Sequence, residues 1–217
     1  MKLKVPLVKQ GYKECAPTSI SMIMKFFGKD YSPDYITKTI GGITKDSKGN
    51  EVGTLNIDLA IFSQEKGFET YCYTYNIELL KPSFVRLDRP ELKQEIEELL
   101  KAEKNDFDKR VLSAYLKFID LDGVLEMKMP SLKLVENYIL KGIPVLISLR
   151  TKILREKDGI ENWSGHAIVI TGFDGDTFYY NDPKDGAENE INREKLFFAL
   201  SNNVLDSTGY MLILEKY

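Results

Sequence analysis

Residues Cys15 to Gly28 carry the clearest alternation of apolar and polar positions in the chain. Ile20, Ile23, Met24 and Phe27 follow the i, i+3, i+4, i+7 spacing of a helix with a core-facing stripe. Met22 and Phe26 add a second apolar face, leaving a narrow polar strip through Thr18, Ser21 and Lys25. Such a helix is covered on most of its circumference and should run through the middle of its domain. Pro17 suits only the first turn, where its missing N–H has no helical partner to lose, and Gly28 supplies the left-handed residue that ends the helix.

The same patterning predicts the other elements. Leu3 to Val8 alternates like an edge strand. Ser32-Pro33 opens a short helix that stops at Gly41. Ile43 to Gly53 reads as a surface loop, and Thr54 as the cap of a third helix ending at Gly67. Phe68 to Tyr75 is a strand with an aromatic face. Between about Lys81 and Met129 the chain turns strongly charged and helical, with Pro90 opening one helix and Val111 to Ile119 forming another. We read this segment as a helical insertion, either stacked on the domain for stability or overhanging a cleft to select substrate. Leu132 to Leu140 is a helix, and Ile143 to Leu149 an apolar strand. His166 to Phe173 and Thr177 to Asn181 form a hairpin around Asp174-Gly175-Asp176. Asn192 to Leu200 is helical and Tyr210 to Leu214 a closing strand. Helices come mostly first and strands mostly last, which predicts an α+β class with an antiparallel sheet, in one domain spanning 1–217.

Composition narrows the function. At 217 residues, 43% hydrophobic and 29% charged, the chain is an ordinary globular protein. A net charge of −3 argues against nucleic-acid binding. No apolar run approaches the ~20 residues of a membrane span, and the start has no apolar signal region. Two cysteines, Cys15 and Cys72, are no disulfide framework, so a cytoplasmic protein is expected. One histidine and no Cys-x-x-Cys leave no zinc site, and no cofactor is expected. Cys72, in mid-strand, reads as a core residue.

Cys15 stands at a helix start, where unpaired N–H groups and the positive end of the helix dipole favour the thiolate. His166, the only histidine, begins a strand. Singly, each is more often an inert core residue. Together they form the pair that a thiolate–imidazolium nucleophile requires. In the hairpin, strand partners have numbers adding to about 348 or 349, which places His166 opposite Asp182 or Pro183. A carboxylate there would orient the imidazole, although Asn181-Asp182-Pro183 also suits a plain turn. Gln10 precedes the cysteine closely and offers an amide to an oxyanion, together with the Cys15 N–H. Trp163 and Gly165, beside His166, are candidates for contact with substrate.

Gln10 and Cys15 at a helix start, Gly165-His166-Ala167 leading an apolar strand to Gly172, and then Asn181-Asp182-Pro183 resemble papain-like cysteine peptidases. More narrowly, the pattern is similar to that of bacteriocin-processing, double-glycine leader peptidases and their stand-alone relatives. The resemblance covers Val5 to Gly28 and Leu132 to Leu214. It implies Cys15 as nucleophile, His166 as general base, Asp182 as its orienting carboxylate and Gln10 as oxyanion donor, acting on a peptide or protein without a cofactor. An acyltransferase or amidase with the same residues, or a non-catalytic peptide-binding module, are the alternatives. Two departures are Cys15-Ala16-Pro17 in place of the frequent Cys-Gly, and a Gln-to-Cys spacing one residue shorter than in transporter-linked members.

Overall fold

The computed structural model describes residues 1–45, 49–154, 165–205 and 207–216. At its centre is a sheet in the order β4-β3-β9-β5-β6-β7-β8. Its strands are β3 (Glu69–Thr74), β4 (Val124–Met127), β5 (Val145–Arg150), β6 (Gly165–Asp174), β7 (Thr177–Asp182), β8 (Ala187–Asn192) and β9 (Met211–Glu215). Its neighbours run antiparallel except β3 and β4, which are parallel.

Helices cover both faces. Along β5, β6 and β9, Leu146, Ala167, Val169, Leu212 and Leu214 point to one core. Val145, Ile147, Ile168, Ile170 and Ile213 point to the other. Burial on both sides explains why these strands read as unbroken apolar runs, since neither face needs to satisfy water. The first core is closed by α1 (Cys15–Phe26), α2 (Pro33–Thr39), α3 (Asn56–Glu65), α4 (Arg89–Ala102) and α5 (Asp106–Asp120). The second is closed by α6 (Leu132–Leu140), the short α7 (Thr151–Leu154) and α8 (Arg193–Ser201).

Helix α1 is buried from Ala16 to Met24. The polar strip expected to reach solvent at Thr18 and Ser21 is buried as well. Ser21 Oγ donates to the Tyr31 carbonyl at 2.6 Å, and Ser19 Oγ donates to the Ala167 carbonyl of β6 at 3.3 Å. Short hydroxyls on this helix therefore tie it to its neighbours. Ser32 caps α2 as its sequence predicts, accepting from the Tyr35 N–H.

Several expectations are corrected. Leu3 to Val8 is no strand. It is anchored by one bridge from Lys2 to Gly172, by the Leu3 N–H on the Thr171 carbonyl and by Asn181 Nδ2 on the Val5 carbonyl. The supposed loop 43–53 contains an antiparallel pair, β1 (Thr44–Lys45) and β2 (Glu51–Gly53). Thr54 does not cap α3, whose N-cap is Leu55 without a side-chain bond. Strand β8, with the polar sequence AENEIN, was not foreseen: it lies at the sheet edge and buries only Ile191.

The charged 81–129 segment folds as a 3-10 turn (Pro82–Arg86), α4, α5 and β4. An Asp88–Glu91 capping box starts α4. Val111, Leu112, Tyr115 and Phe118 of α5 are fully buried, and Arg110 and Lys117 pair with Asp58 and Glu65 of α3. Strand β4 extends the sheet at the edge opposite β7 and β8. The segment thus packs on α3 and on the first core.

At Gly172 the chain depends on a missing side chain. A bulge interrupts β6 between Ile170 and Gly172, and a Cβ at Gly172 would stand 2.4 Å from the Met1 carbonyl oxygen and 2.7 Å from Lys2 Cα. We expect Gly172→Ala to push the first residues off β6 and to destabilise the fold by about 1–3 kcal/mol, the scale of overpacking a tight site. Denaturant unfolding together with hydrogen exchange at Leu3 and Phe173 measures this. Unaltered protection at both amides would remove the contact from the account of the fold.

Candidate functional site

Helix α1 begins at Cys15, and the first intrahelical bond recorded at its start runs from the Thr18 N–H to the Glu14 carbonyl. The N–H groups of Cys15 and Ala16 therefore belong to the first turn, which has no helical acceptors for them. Pro17 follows where a missing N–H costs nothing. The thiol is half-buried.

His166 is the second residue of β6, paired with Leu149 of β5, and Asp182 is the last residue of β7. The expected register is off by one or two. Partners Val169–Asn181 and Ile170–Tyr180 have numbers adding to 350, because the turn is the two-residue Gly175-Asp176 and because the bulge shifts β6. Carried to the strand end, this register makes His166 and Asp182 diagonal neighbours and not direct partners. Diagonal positions are still within reach of long side chains. His166 Nε2 lies 2.8 Å from Asp182 Oδ1, with the two side chains 8% and 1% exposed. The same oxygen accepts the Lys184 N–H at 2.9 Å. Asp182 thus closes an Asx turn over Pro183 and holds the imidazole with one carboxylate, so the turn reading and the orienting reading of this residue are both realised.

With Nε2 committed to Asp182, Nδ1 is the nitrogen left for the thiol. Burial alone would push the Cys15 thiol up. The hydrogen bond and charge of His166, joined by the backbone N–H groups of Ala167 and Ala16, outweigh burial and hold the thiol below its usual range. Burial opposes the charged imidazole too, but Asp182 and Cys15 raise His166 to about 9. The opposite directions of the two shifts are those that would favour a thiolate–imidazolium pair. Cys72 is the internal contrast. It is fully buried, its thiol is pushed far up by burial alone, and it faces the Thr208 carbonyl at 3.7 Å.

Gln10 is brought to the same place from another direction. Its N–H donates to the Pro183 carbonyl at 2.8 Å, fixing the segment before α1 against the residue after Asp182. Its side-chain Oε1 is buried without a hydrogen-bond partner among the described residues. Gly165 is exposed at the mouth of β6, and a Cβ there would meet Asn203 Oδ1 at 3.3 Å. Trp163 lies outside the described residues. The sequence assigned Lys184 no role and named Ala167 and Pro183 only within motifs or as a possible partner of His166, yet backbone groups of all three support the site. Their only signal was adjacency to His166 and Asp182.

For the thiol, the expected behaviour is direct. Cys15 should alkylate with an inflection below the ordinary thiol pKa, because the imidazolium stabilises the thiolate, whereas Cys72 should stay inert while the protein is folded. His166→Ala should move the inflection upward, leaving burial opposed only by the Ala167 and Ala16 N–H groups. Mass-spectrometric mapping after iodoacetamide treatment at several pH values reads both sites, and equal reactivity of the two thiols would remove the ion pair from the site.

No helix among the described residues is long and apolar enough to cross a membrane. No curated protein matches the sequence. Among solved structures, the fold is similar to a double glycine motif protease from an AMS/PCAT transporter, crystallised in complex with the leader peptide. That match has 17% identity and a TM-score of 0.50, covering 100% of this chain and 94% of the other. The fold is also similar to a protein from Bacillus anthracis assigned as a C39-like peptidase, with 14% identity, a TM-score of 0.52 and coverage of 100% and 98%. The Peptidase_C39 like family model matches residues 2–83 and 93–205, stretches that contain Gln10, Cys15, His166 and Asp182. With most of its length matched, including every element that builds the site, the chain belongs to the Peptidase_C39 like family.

Proposed function

We propose that the chain is a cysteine peptidase that hydrolyses a peptide bond through Cys15, His166 and Asp182, with Gln10 in the oxyanion hole. The observation that carries this reading is the buried 2.8 Å contact of His166 with Asp182, joined to a Cys15 thiol that His166 holds low. In the mechanism, the Cys15 thiolate attacks the carbonyl carbon, and the carbonyl π pair moves onto oxygen. The Gln10 amide and the free N–H of the first turn of α1 receive that oxyanion. The C–N bond breaks as the His166 imidazolium gives its proton to the leaving amine, leaving a thioester on Cys15. His166, now neutral, takes a proton from water as the water attacks the thioester, and the acid and the thiol are released. Asp182 holds the imidazole in its tautomer and stays ionised throughout. The substrate class follows the solved relative that was crystallised with a leader peptide.

Activity-based labelling with a peptidyl electrophile, followed by mapping of the modified residue, tests the nucleophile. Modification elsewhere than Cys15 would end the proposal. With a turned-over peptide in hand, Gln10→Ala should lower kcat by roughly 10²–10³, the scale for deleting one oxyanion donor. Asp182→Asn should fold yet lose most of its turnover, because the imidazole loses its orienting charge. Wild-type kcat in either variant would reassign that residue to structure.

The pH profile follows from the same pair. Rate should rise as Cys15 ionises below the ordinary thiol range. It should fall as pH passes about 9, where His166 loses the proton that the leaving group needs. A profile flat to pH 10 would separate His166 from proton transfer.

A further inference from the structure

The five bonds from Gln10 to Cys15 hold more constraint than a connecting turn needs. Lys13 has φ 55°, and Lys13 and Asp122 are the only non-glycine residues with positive φ among those described. That is left-handed backbone which an L side chain adopts at a cost and keeps only when its surroundings enforce it. The surroundings here do so from two sides. Lys13 Nζ donates to the Glu51 carbonyl of β2 at 2.9 Å and reaches the Glu51 carboxylate at 3.3 Å. Glu14 Oε1 accepts the Thr37 hydroxyl of α2 at 3.0 Å. Its other oxygen covers Gly11, where a Cβ would lie 2.5 Å from Glu14 Oε2. The far end of the turn is tied by the Gln10 N–H to Pro183. The turn is thus clamped onto α2, β2 and the residue after Asp182.

The two groups at the ends of this turn are the ones that would receive the oxyanion, the Gln10 amide and the Cys15 N–H. No regular element lies between them, so the turn and its anchors set their separation. We infer that Glu14, locked to Thr37 and folded over Gly11, is a positioning residue that sets the width of the oxyanion hole. The inference rests on the proposed peptidase reading. Glu14 touches neither the reacting sulfur nor the imidazole in any recorded hydrogen bond, so it acts through Gln10 and the start of α1.

Glu14 also stands at the N-cap of α1, where a carboxylate stabilises a helix by interaction with its dipole. A test must separate that helix-capping role from control of the hole. Two probes of Cys15 do so. Iodoacetamide is attacked by direct displacement: a C–S bond forms, iodide leaves, and no oxyanion arises. A small peptidyl aldehyde is attacked at its carbonyl: a C–S bond forms, the π pair moves onto oxygen, and nothing leaves. Only the second reaction needs the hole. Thr37→Val is nearly isosteric and removes the hydroxyl without touching the site. Glu14→Ala removes the carboxylate, and Glu14→Gln keeps an acceptor for Thr37.

We expect Thr37→Val and Glu14→Ala to weaken aldehyde binding by about tenfold or more, part of the 10²–10³ lost with a whole donor. Iodoacetamide rates and their pH dependence should stay at wild-type values, and Glu14→Gln should recover most of the aldehyde affinity. If both probes fall together along with Tm, Glu14 serves α1 as a cap and the inference is overturned. A shift in the iodoacetamide pH profile would instead make Glu14 an electrostatic influence on the thiol, and also overturns it. Wild-type protein that reacts with iodoacetamide at Cys15 but shows no affinity for the aldehyde brings down the peptidase reading and this inference with it. Affinity in wild type that all three variants share overturns this inference alone.

Discussion

The hydrogen bond between His166 and Asp182 joins two strand ends that the sheet register does not place opposite each other. It is buried, so each partner would be costly to leave alone. A carboxylate 1% exposed needs its partners, and an imidazole in the same place would lose its charge without the carboxylate. The rest of the site follows from that bond. Once Nε2 is bonded to Asp182, Nδ1 is the nitrogen left for the thiol of Cys15, which stands at the first turn of α1. Asp182 thus favours the charged ring from a position that touches neither the sulfur nor, in the proposed reaction, the substrate.

The architecture delivers these groups by ordinary means. A helix buried nearly all round must lie between sheet and outer helices, and hydroxyls at Ser19 and Ser21 fasten it to β6 and to the chain before α2. Its start then meets the start of β6. The N-terminal residues cross the bulge at Gly172 and run on to Gln10, which reaches the turn after β7. Three segments distant in sequence converge because each is held by hydrogen bonds that end on backbone groups, made by the backbone itself or by Ser19, Ser21 and Asn181.

What the sequence made legible was what local physics determines. The apolar spacing of Ile20 to Phe27, Pro33 after Ser32, and the glycines after helices each act within a few residues, and those elements stand where they were expected. Cys15 and His166 stood out because a helix start and a lone histidine are local signals too, whereas Asp182 was reached through a hairpin count that missed the observed register by one or two. The hairpin register was not legible, because it depends on where a two-residue turn falls and on a bulge at Ile170–Gly172, beside which the N-terminal segment lies. Strand β8 was missed because an edge strand with one buried residue carries almost no apolar pattern. Thr54 was misread as a cap because a threonine before a helix is a statistical sign, and here the backbone enters the helix at Leu55. The clamp on the Gln10–Cys15 turn was illegible in principle: Glu14 meets Thr37 only after α2 has packed beside α1.

His166 is the only imidazole in the 217 residues. In a protein with several such rings, the signals of each must be sorted from the others. Here the aromatic proton and nitrogen resonances of histidine in a magnetic-resonance spectrum come from a single ring, bonded to Asp182 on one side and facing the thiol on the other. The protein thus carries one native, label-free reporter of protonation, and its readings during titration, alkylation or peptide binding need no assignment by mutagenesis.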